Sequence, residues 1–63
     1  MRLIRLTAVL DKTGLSRSVI YEMMNRGEFP RPAKLYPGAR ANLWPESEVE
    51  AWIASRLEAR EAA

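Results

Sequence analysis

The chain of 63 residues contains neither cysteine nor histidine. It therefore has no disulfide, no thiolate or imidazole ligand for a metal ion, and no Cys or His to act as nucleophile or base. It also lacks an apolar run long enough to span a bilayer, a recognisable signal peptide and a glycine-rich phosphate loop. These absences predict a cytoplasmic protein that is not an enzyme, binds no metal or cofactor, and does not contact a membrane.

Aromatic residues are few, at 8% of the chain. A chain of this length forms a small core of marginal stability, so each large side chain must bury much of its area. We expect this area to come from Phe29, Trp44, Trp52, and Tyr21 or Tyr36. No internal repeat or low-complexity tract divides the sequence, which predicts a single domain over residues 1–63.

Charge is unevenly distributed along the chain. Residues 1–45 contain eight Lys or Arg and three Asp or Glu, a net charge of +5. Residues 46–63 contain two Lys or Arg and five Asp or Glu, a net charge of −3. A basic body followed by an acidic segment is typical of a small domain that places one face against phosphates. Ordinary solvated surface charge gives the same counts, so charge alone leaves both interpretations open.

The clearest local signal is in residues 14–27, which combine a turn, a helix and a helix stop. Gly14 suits a tight turn, Ser16 is a good N-cap, and Gly27 is typical of the position just past a helix end. The helix between them has an apolar face of Val19, Ile20, Met23 and Met24, and a polar face of Arg17, Ser18, Tyr21 and Asn25. A short capped helix with such a polar face predicts a DNA recognition helix.

The preceding residues complete a helix-turn-helix. Residues 1–6 are predicted to form an extended lead-in or a short edge strand, and Thr7 is predicted to cap a first helix that ends near Thr13. Both helices then lie within residues 7–27. They are joined by a glycine-containing turn of a few residues, which is typical of helix-turn-helix proteins.

Residues 33–44 are predicted to form a hairpin, or wing, beside the helices. Residues 33–36 and 41–44 are the candidate strands, and Pro37 with Gly38 suits the centre of a type II turn. A two-stranded hairpin is unstable alone and must pack on the helices, so we expect Leu35 and Trp44 to point inward.

Residues 45–60 give the strongest helical pattern. Pro45 suits the first helical position, and the glutamates after it favour the positive end of the helix dipole. Apolar residues at helical spacing predict one buried stripe, formed by Val49, Trp52, Ile53 and Leu57. Together the elements predict a mainly α-helical fold with a small β-hairpin, namely a winged helix-turn-helix of three helices and a two-stranded wing.

Polar side chains of the second helix and of the wing are the candidate DNA contacts. Arg17 and Ser18 lie at the helix end that commonly meets base edges, and an arginine can hold a guanine with two hydrogen bonds. Tyr21 can either bond a phosphate or pack over the core edge, and both roles stay open. Asn25 lies further along the same face. On the wing, Lys34, Arg40 and Asn42 can follow backbone phosphates, and Arg40 has the best reach because it lies near the loop tip.

Four blocks of the sequence form a recognisable pattern: residues 6–9 (Leu-Thr-Ala-Val), 13–21 (Thr-Gly-Leu-Ser-Arg-Ser-Val-Ile-Tyr), 27–30 (Gly-Glu-Phe-Pro) and 44–52 (Trp-Pro-Glu-Ser-Glu-Val-Glu-Ala-Trp). They resemble the AlpA family, small DNA-binding regulators of phages and prophages that are related to the excisionases and to MerR-type DNA-binding domains. The resemblance implies a winged helix-turn-helix that binds duplex DNA.

The same resemblance places Ser16, Arg17, Ser18 and Tyr21 on the recognition helix and Arg40 on the wing. Two positions depart from the family pattern. Glu22 stands where a basic residue is common, and Asn42 stands where an apolar strand residue is common.

We therefore predict a sequence-specific transcriptional regulator of a mobile genetic element, bacterial or phage-encoded, that acts on double-stranded DNA at the nucleoid. A close alternative is an excision factor that bends DNA together with an integrase. A more remote alternative is a protein-interaction module that uses the acidic helix of residues 46–61. Because one such domain covers few base pairs, we expect a homodimer or a cooperative array on DNA.

Overall fold

The computed structural model describes residues 1–62. Its elements, in chain order, are β1 (Leu3–Arg5), α1 (Leu6–Thr13), α2 (Arg17–Asn25), β2 (Leu43–Pro45) and α3 (Glu46–Ala62). β1 and β2 pair antiparallel in a two-stranded sheet. The predicted fold class is confirmed, because the protein is mainly α-helical with a small sheet, as in a winged helix-turn-helix. In residues 1–62 every helix is too short or too polar to span a lipid bilayer.

The turn between α1 and α2 follows the chemistry predicted for its glycine and serine. Gly14 has a φ of 72°, in the left-handed region that favours glycine, and its N–H donates to the carbonyl of Leu10 at 2.8 Å. Ser16 caps α2, because its Oγ accepts a hydrogen bond of 3.3 Å from the N–H of Val19. Both ends of the turn are thus fixed by local hydrogen bonds.

The start of α1 differs from the prediction. The helix begins at Leu6, with Arg5 in the N-cap position, so Thr7 lies inside the helix and does not cap it. The reason is that β1 leads directly into α1, and pairing of Arg5 with Leu43 fixes the extended backbone up to the helix start.

The short edge strand that the sequence predicts within residues 1–6 is present as β1, but the strand pairing differs from the predicted hairpin. β1 pairs with β2, so that the residues facing each other are Leu3 and Pro45, Ile4 and Trp44, and Arg5 and Leu43. Between the arms of the predicted wing, the described residues form a single bridge, from Ala33 to Leu43. The predicted pairing of residues 33–36 with residues 41–44 is therefore wrong beyond this bridge, although Leu43 and Trp44 do lie in a strand. β2 pairs with the lead-in strand β1 because this pairing buries Ile4, which is only 4% exposed, opposite Trp44.

One hydrophobic core joins the three helices, the sheet and the segment that follows α2. Its buried members are Ile4, Val9, Ile20, Met24, Phe29, Trp44 and Val49. Phe29 and Trp44 are buried as predicted, and Trp52 and Ile53 pack against this cluster while remaining partly exposed. Residues from three helices meet here, so the orientation of α2 depends on all of them.

The two tryptophans fix the path of the chain after α2. The indole N–H of Trp44 donates to the carbonyl of Pro30 at 2.9 Å, and that of Trp52 donates to the carbonyl of Glu28 at 2.8 Å. The ring of Trp52 also meets Phe29 edge to face, with centroids 4.8 Å apart. The carbonyls of Glu28 and Pro30 lie outside the helices and strands, and the indoles supply hydrogen bonds to them.

Several large apolar side chains are exposed. The sequence predicts burial for Val19, Leu35 and Leu57, whereas it leaves open whether Tyr21 or Tyr36 adds to the core. Their exposed fractions are 37% for Val19, 39% for Tyr21, 61% for Leu35, 65% for Tyr36 and 51% for Leu57. Val19 lies at the edge of the buried face, about 100° around the helix from Ile20. Leu57 belongs to a stretch, residues 54–61, in which every residue is exposed, because α3 extends beyond the core.

Ion pairs join the start of α3 to α1 and to the lead-in. Lys12 Nζ lies 3.2 Å from Glu46 Oε2 and 3.4 Å from Glu50 Oε2, and Arg2 Nη1 lies 3.8 Å from the same Glu46 oxygen. The carboxylate of Glu46 is the main cause that raises the pKa of Lys12 above its ordinary value. Much of the negative charge at the start of α3 is therefore neutralised within the fold.

Replacement of Trp44 tests the centre of this core. Trp44→Ala should lower the free energy of unfolding by about 3–5 kcal/mol, because it removes a buried indole and leaves the Pro30 carbonyl without its donor. Urea titration followed by far-ultraviolet circular dichroism measures the change. Leu57→Ala is the control, with an expected change within about 0.5 kcal/mol because the side chain is exposed. An unchanged midpoint for Trp44→Ala would contradict the placement of this indole.

Candidate nucleic-acid interface

α2 presents a polar ridge that starts at its first residue. Ile20 and Met24 are buried and hold the helix on the core, whereas Arg17, Tyr21 and Asn25 are exposed. Because these three residues are spaced four apart, they follow one another along one side of the helix. Ser18 is exposed next to this ridge. The structure thus brings all four predicted α2 residues to the solvent-accessible side of the helix.

The N-terminal end of α2 has free capacity for an anion. Ser16 Oγ accepts the N–H of Val19, which leaves the hydroxyl proton of Ser16 available for a further acceptor. The first amides of a helix lack partners within the helix, and the helix dipole makes this end electropositive. Arg17 adds a full positive charge at the same end. Such an end is suited to a phosphate or to the acceptor edge of a base.

The C-terminal end of α2 is closed by a compact turn. The N–H of Gly27 donates to the carbonyl of Met24 at 3.1 Å, and the N–H of Glu28 donates to the carbonyl of Met23 at 2.8 Å. This pair of bonds is the Schellman arrangement, which satisfies the last carbonyls of a helix. Arg31 Nη2 lies 3.5 Å from the same Met24 carbonyl oxygen, where a cation also favours the negative end of the dipole.

A carboxylate on the outer side of α2 is paired within the helix. Glu22 Oε1 lies 2.7 Å from Arg26 Nη2, and both side chains remain more than half exposed. Glu22 is one of the two positions that depart from the family pattern, and its pairing with Arg26 was not predicted. The sequence did contain a signal for this ion pair, because a Glu four residues before an Arg on a helix favours the pairing.

In residues 1–62 no group of three or more acidic side chains comes together that could hold a metal ion.

The tip of the wing is a tight turn. The wing loop is defined here as residues 33–43. At its tip the N–H of Ala39 donates to the carbonyl of Tyr36 at 3.0 Å, across Pro37 and Gly38. Gly38 has a φ of 84°, which the third position of a type II turn requires. The turn predicted at Pro37 and Gly38 is therefore present, although the ladder predicted on either side of it is reduced to the bridge between Ala33 and Leu43.

Two further contacts stabilise the wing loop. Backbone hydrogen bonds of 2.6 and 3.4 Å join Ala33 and Leu43 at its base. Nearer the tip, Lys34 Nζ donates to the carbonyl of Ala39 at 3.1 Å. The loop thus has a defined shape without a continuous ladder.

The three wing residues predicted to contact DNA differ in their exposure. Lys34 and Arg40 are exposed, whereas Asn42 is half-buried beside the base of the loop. Residues 29–45 include three basic residues, Arg31, Lys34 and Arg40, and no Asp or Glu. A segment of one sign of charge raises the local concentration of a polyanion. The contacts themselves stay predictions for all three residues.

Comparison with known proteins identifies the family to which the chain is similar. Residues 2–57 match the model of a family described as Prophage CP4-57 regulatory protein (AlpA). The chain is 44% identical over 59 residues to the uncharacterized protein ORF88 of Enterobacteria phage P4, covering 94% of this chain and 65% of that protein. It is 35% identical over 60 residues to the DNA-binding transcriptional activator AlpA of Escherichia coli (strain K12), covering 89% of this chain and 86% of that protein. The chain thus spans 65% of the length of the phage P4 relative.

Proposed function

Because the chain belongs to the AlpA family of phage and prophage regulatory proteins, we propose that it is a sequence-specific, double-stranded DNA-binding regulator of transcription for a mobile genetic element. The observation that carries this proposal is the geometry of α2. It is a nine-residue helix, capped at its N-terminus, held by buried Ile20 and Met24, with a polar ridge on its exposed side. A helix of this kind fits the width of the major groove.

In this proposal the N-terminal end of α2 enters the major groove first. Arg17 reads a base edge, since its guanidinium can donate two hydrogen bonds to the O6 and N7 of a guanine. Ser18 contacts a base or a phosphate, and Ser16, Tyr21 and Asn25 contact the backbone on either side. Two kinds of contact are thereby combined on one rigid helix, those that position the protein and those that read sequence.

The wing loop supplies sequence-independent contacts. Arg40 is exposed and carries its charge next to the tip turn, which suits a phosphate oxygen. Lys34 donates one N–H to Ala39, and an ammonium group has three, so two donors remain for phosphates. Asn42 is half-buried and therefore has a shorter reach than the two basic residues.

α1 and α3 support this surface without contacting DNA. The pairing of Lys12 with Glu46 and Glu50 neutralises acidic residues that would otherwise repel phosphates. This pairing also argues against the remote alternative, in which the acidic side of residues 46–61 docks a partner protein, since two of its glutamates are already engaged. The exposed part of α3 remains distant in sequence from the proposed contacts.

Regulation and excision begin with the same contacts to DNA. We favour regulation because the E. coli relative is named as a DNA-binding transcriptional activator. We also propose that the protein acts in the bacterial cytoplasm and binds as a homodimer or a cooperative array, because one recognition helix covers few base pairs. A footprint separates the two roles. A short site at a promoter supports regulation, whereas tandem sites beside an integrase core site support an excision factor that works with an integrase.

Arg17→Ala tests the proposal directly. A duplex is first selected from a random library by the wild-type protein, and binding to it is compared with binding to an unselected duplex at the same salt concentration. The substitution should cost about 1–3 kcal/mol on the selected duplex and less on the unselected one. The free energy of unfolding should change by no more than about 0.5 kcal/mol, because the side chain is exposed.

The matched control is Arg40→Ala, which removes the same side chain from the wing. It should weaken binding to both duplexes by similar factors. The slope of the logarithm of the binding constant against the logarithm of the salt concentration should fall by about one unit, as expected for a phosphate contact. An equal loss on both duplexes from Arg17→Ala would reduce Arg17 to a phosphate contact. A wild-type protein that binds no duplex even at low salt would contradict the proposed function itself.

A further inference from the structure

The tip of the wing loop exposes two large side chains, one next to the other. Leu35 is 61% exposed and Tyr36 is 65% exposed, more than any other large hydrophobic residue described except Met1. Pro37, which follows them, is exposed as well. Single exposed apolar residues are common on protein surfaces, but a contiguous group of them is typical of a contact site.

Hydrogen bonds fix the backbone that carries Leu35 and Tyr36. The carbonyl of Tyr36 accepts the N–H of Ala39, and Lys34 Nζ binds the carbonyl of Ala39 from the preceding arm. The residues on both sides of Leu35 and Tyr36 are thus tied together across the tip. A pre-organised group loses little conformational freedom when it is inserted into a partner, which favours binding.

The charge around the tip identifies the class of partner. Lys34 precedes the apolar pair, Arg40 follows it, and residues 29–45 contain no Asp or Glu. A short apolar projection between two cations does not match an apolar protein surface, which would have to desolvate both charges. It does match the minor groove of a duplex, where phosphates line the two edges and the apolar faces of the bases become accessible when a base step is partly unstacked.

We propose that Leu35 and Tyr36 form a wedge that enters the minor groove, partly unstacks one base step and kinks the duplex, with Lys34 and Arg40 on the flanking phosphates. The inference rests on the proposed DNA-binding function and deepens it by assigning a deformation of the DNA to two residues. Proteins that bind the minor groove commonly insert apolar side chains in this way and bend the duplex toward the major groove. The protein would then prefer DNA sites that have a flexible pyrimidine–purine step beneath the wing loop.

The experiment compares DNA bending by the wild-type protein and by the double variant Leu35→Ala, Tyr36→Ala. A duplex selected by the wild-type protein carries a donor and an acceptor dye at its two ends, and energy transfer reports the bend. The wild-type protein should kink the duplex by roughly 20–90°. The double variant should remain bound, because α2 and the basic residues are unchanged, and should leave the DNA close to its free geometry.

Two matched variants separate a wedge from other roles of these residues. Tyr36→Phe keeps the ring and removes the hydroxyl, so it should retain the bend. Leu57→Ala removes an exposed leucine from α3, at a position that is 51% exposed, and should also retain it. Both replaced positions in the tip are exposed, so melting curves of all variants should stay close to that of the wild-type protein.

Each contrary result has a distinct meaning. A double variant that bends DNA as the wild-type protein does would overturn the wedge, and so would loss of the bend in Tyr36→Phe, which would indicate a hydroxyl contact. Loss of self-association in the double variant, measured by sedimentation velocity with bending intact, would assign the tip to a protein contact. Binding of the wild-type protein without bending would overturn the wedge alone, whereas absence of any binding to duplex DNA would overturn the proposed function too.

Discussion

The buried indole of Trp44 is the interaction on which the rest of the structure depends. Its ring lies at the centre of the core, opposite Ile4 in the sheet, and its N–H holds the carbonyl of Pro30. It therefore connects the lead-in, the segment after α2 and the end of the wing loop. Trp44 is the largest fully buried side chain, and a domain of this size has few others that hold the helix and the wing in their relative placement.

The proposed interface follows from that constraint. α2 is short, and a helix of this length is marginal alone, so its geometry comes from the burial of Ile20 and Met24 and from its caps. The wing loop has one bridge at its base and one turn at its tip, so its shape depends on the core at one end and on local hydrogen bonds at the other. Both parts of the proposed interface are thus stabilised by contacts that leave Arg17, Tyr21, Asn25 and Arg40 exposed.

Features that depend on neighbouring residues could be predicted from the sequence, and features that depend on distant ones could not. The cap at Ser16, the turn at Gly14 and the tip turn at Gly38 are decided by local backbone chemistry. The predicted strand pairing was wrong because two short extended segments, residues 3–5 and 33–36, compete to pair with the segment that contains Trp44, and the burial of Ile4 decides between them. For the site, the exposed face of α2 followed from helical periodicity, whereas the exposure of Leu35 depends on which strand covers the core.

The central claim is that the polar ridge of α2 and the wing loop form one surface for duplex DNA. The most direct measurement is a titration of the ¹⁵N-labelled protein with a short duplex selected by the wild-type protein, followed by amide chemical shifts. We expect the largest shifts in residues 16–25 and 33–43, while the amide shifts of the exposed end of α3, residues 54–61, stay unchanged. Largest shifts in residues 46–61, with those of α2 unaffected, would contradict the central claim.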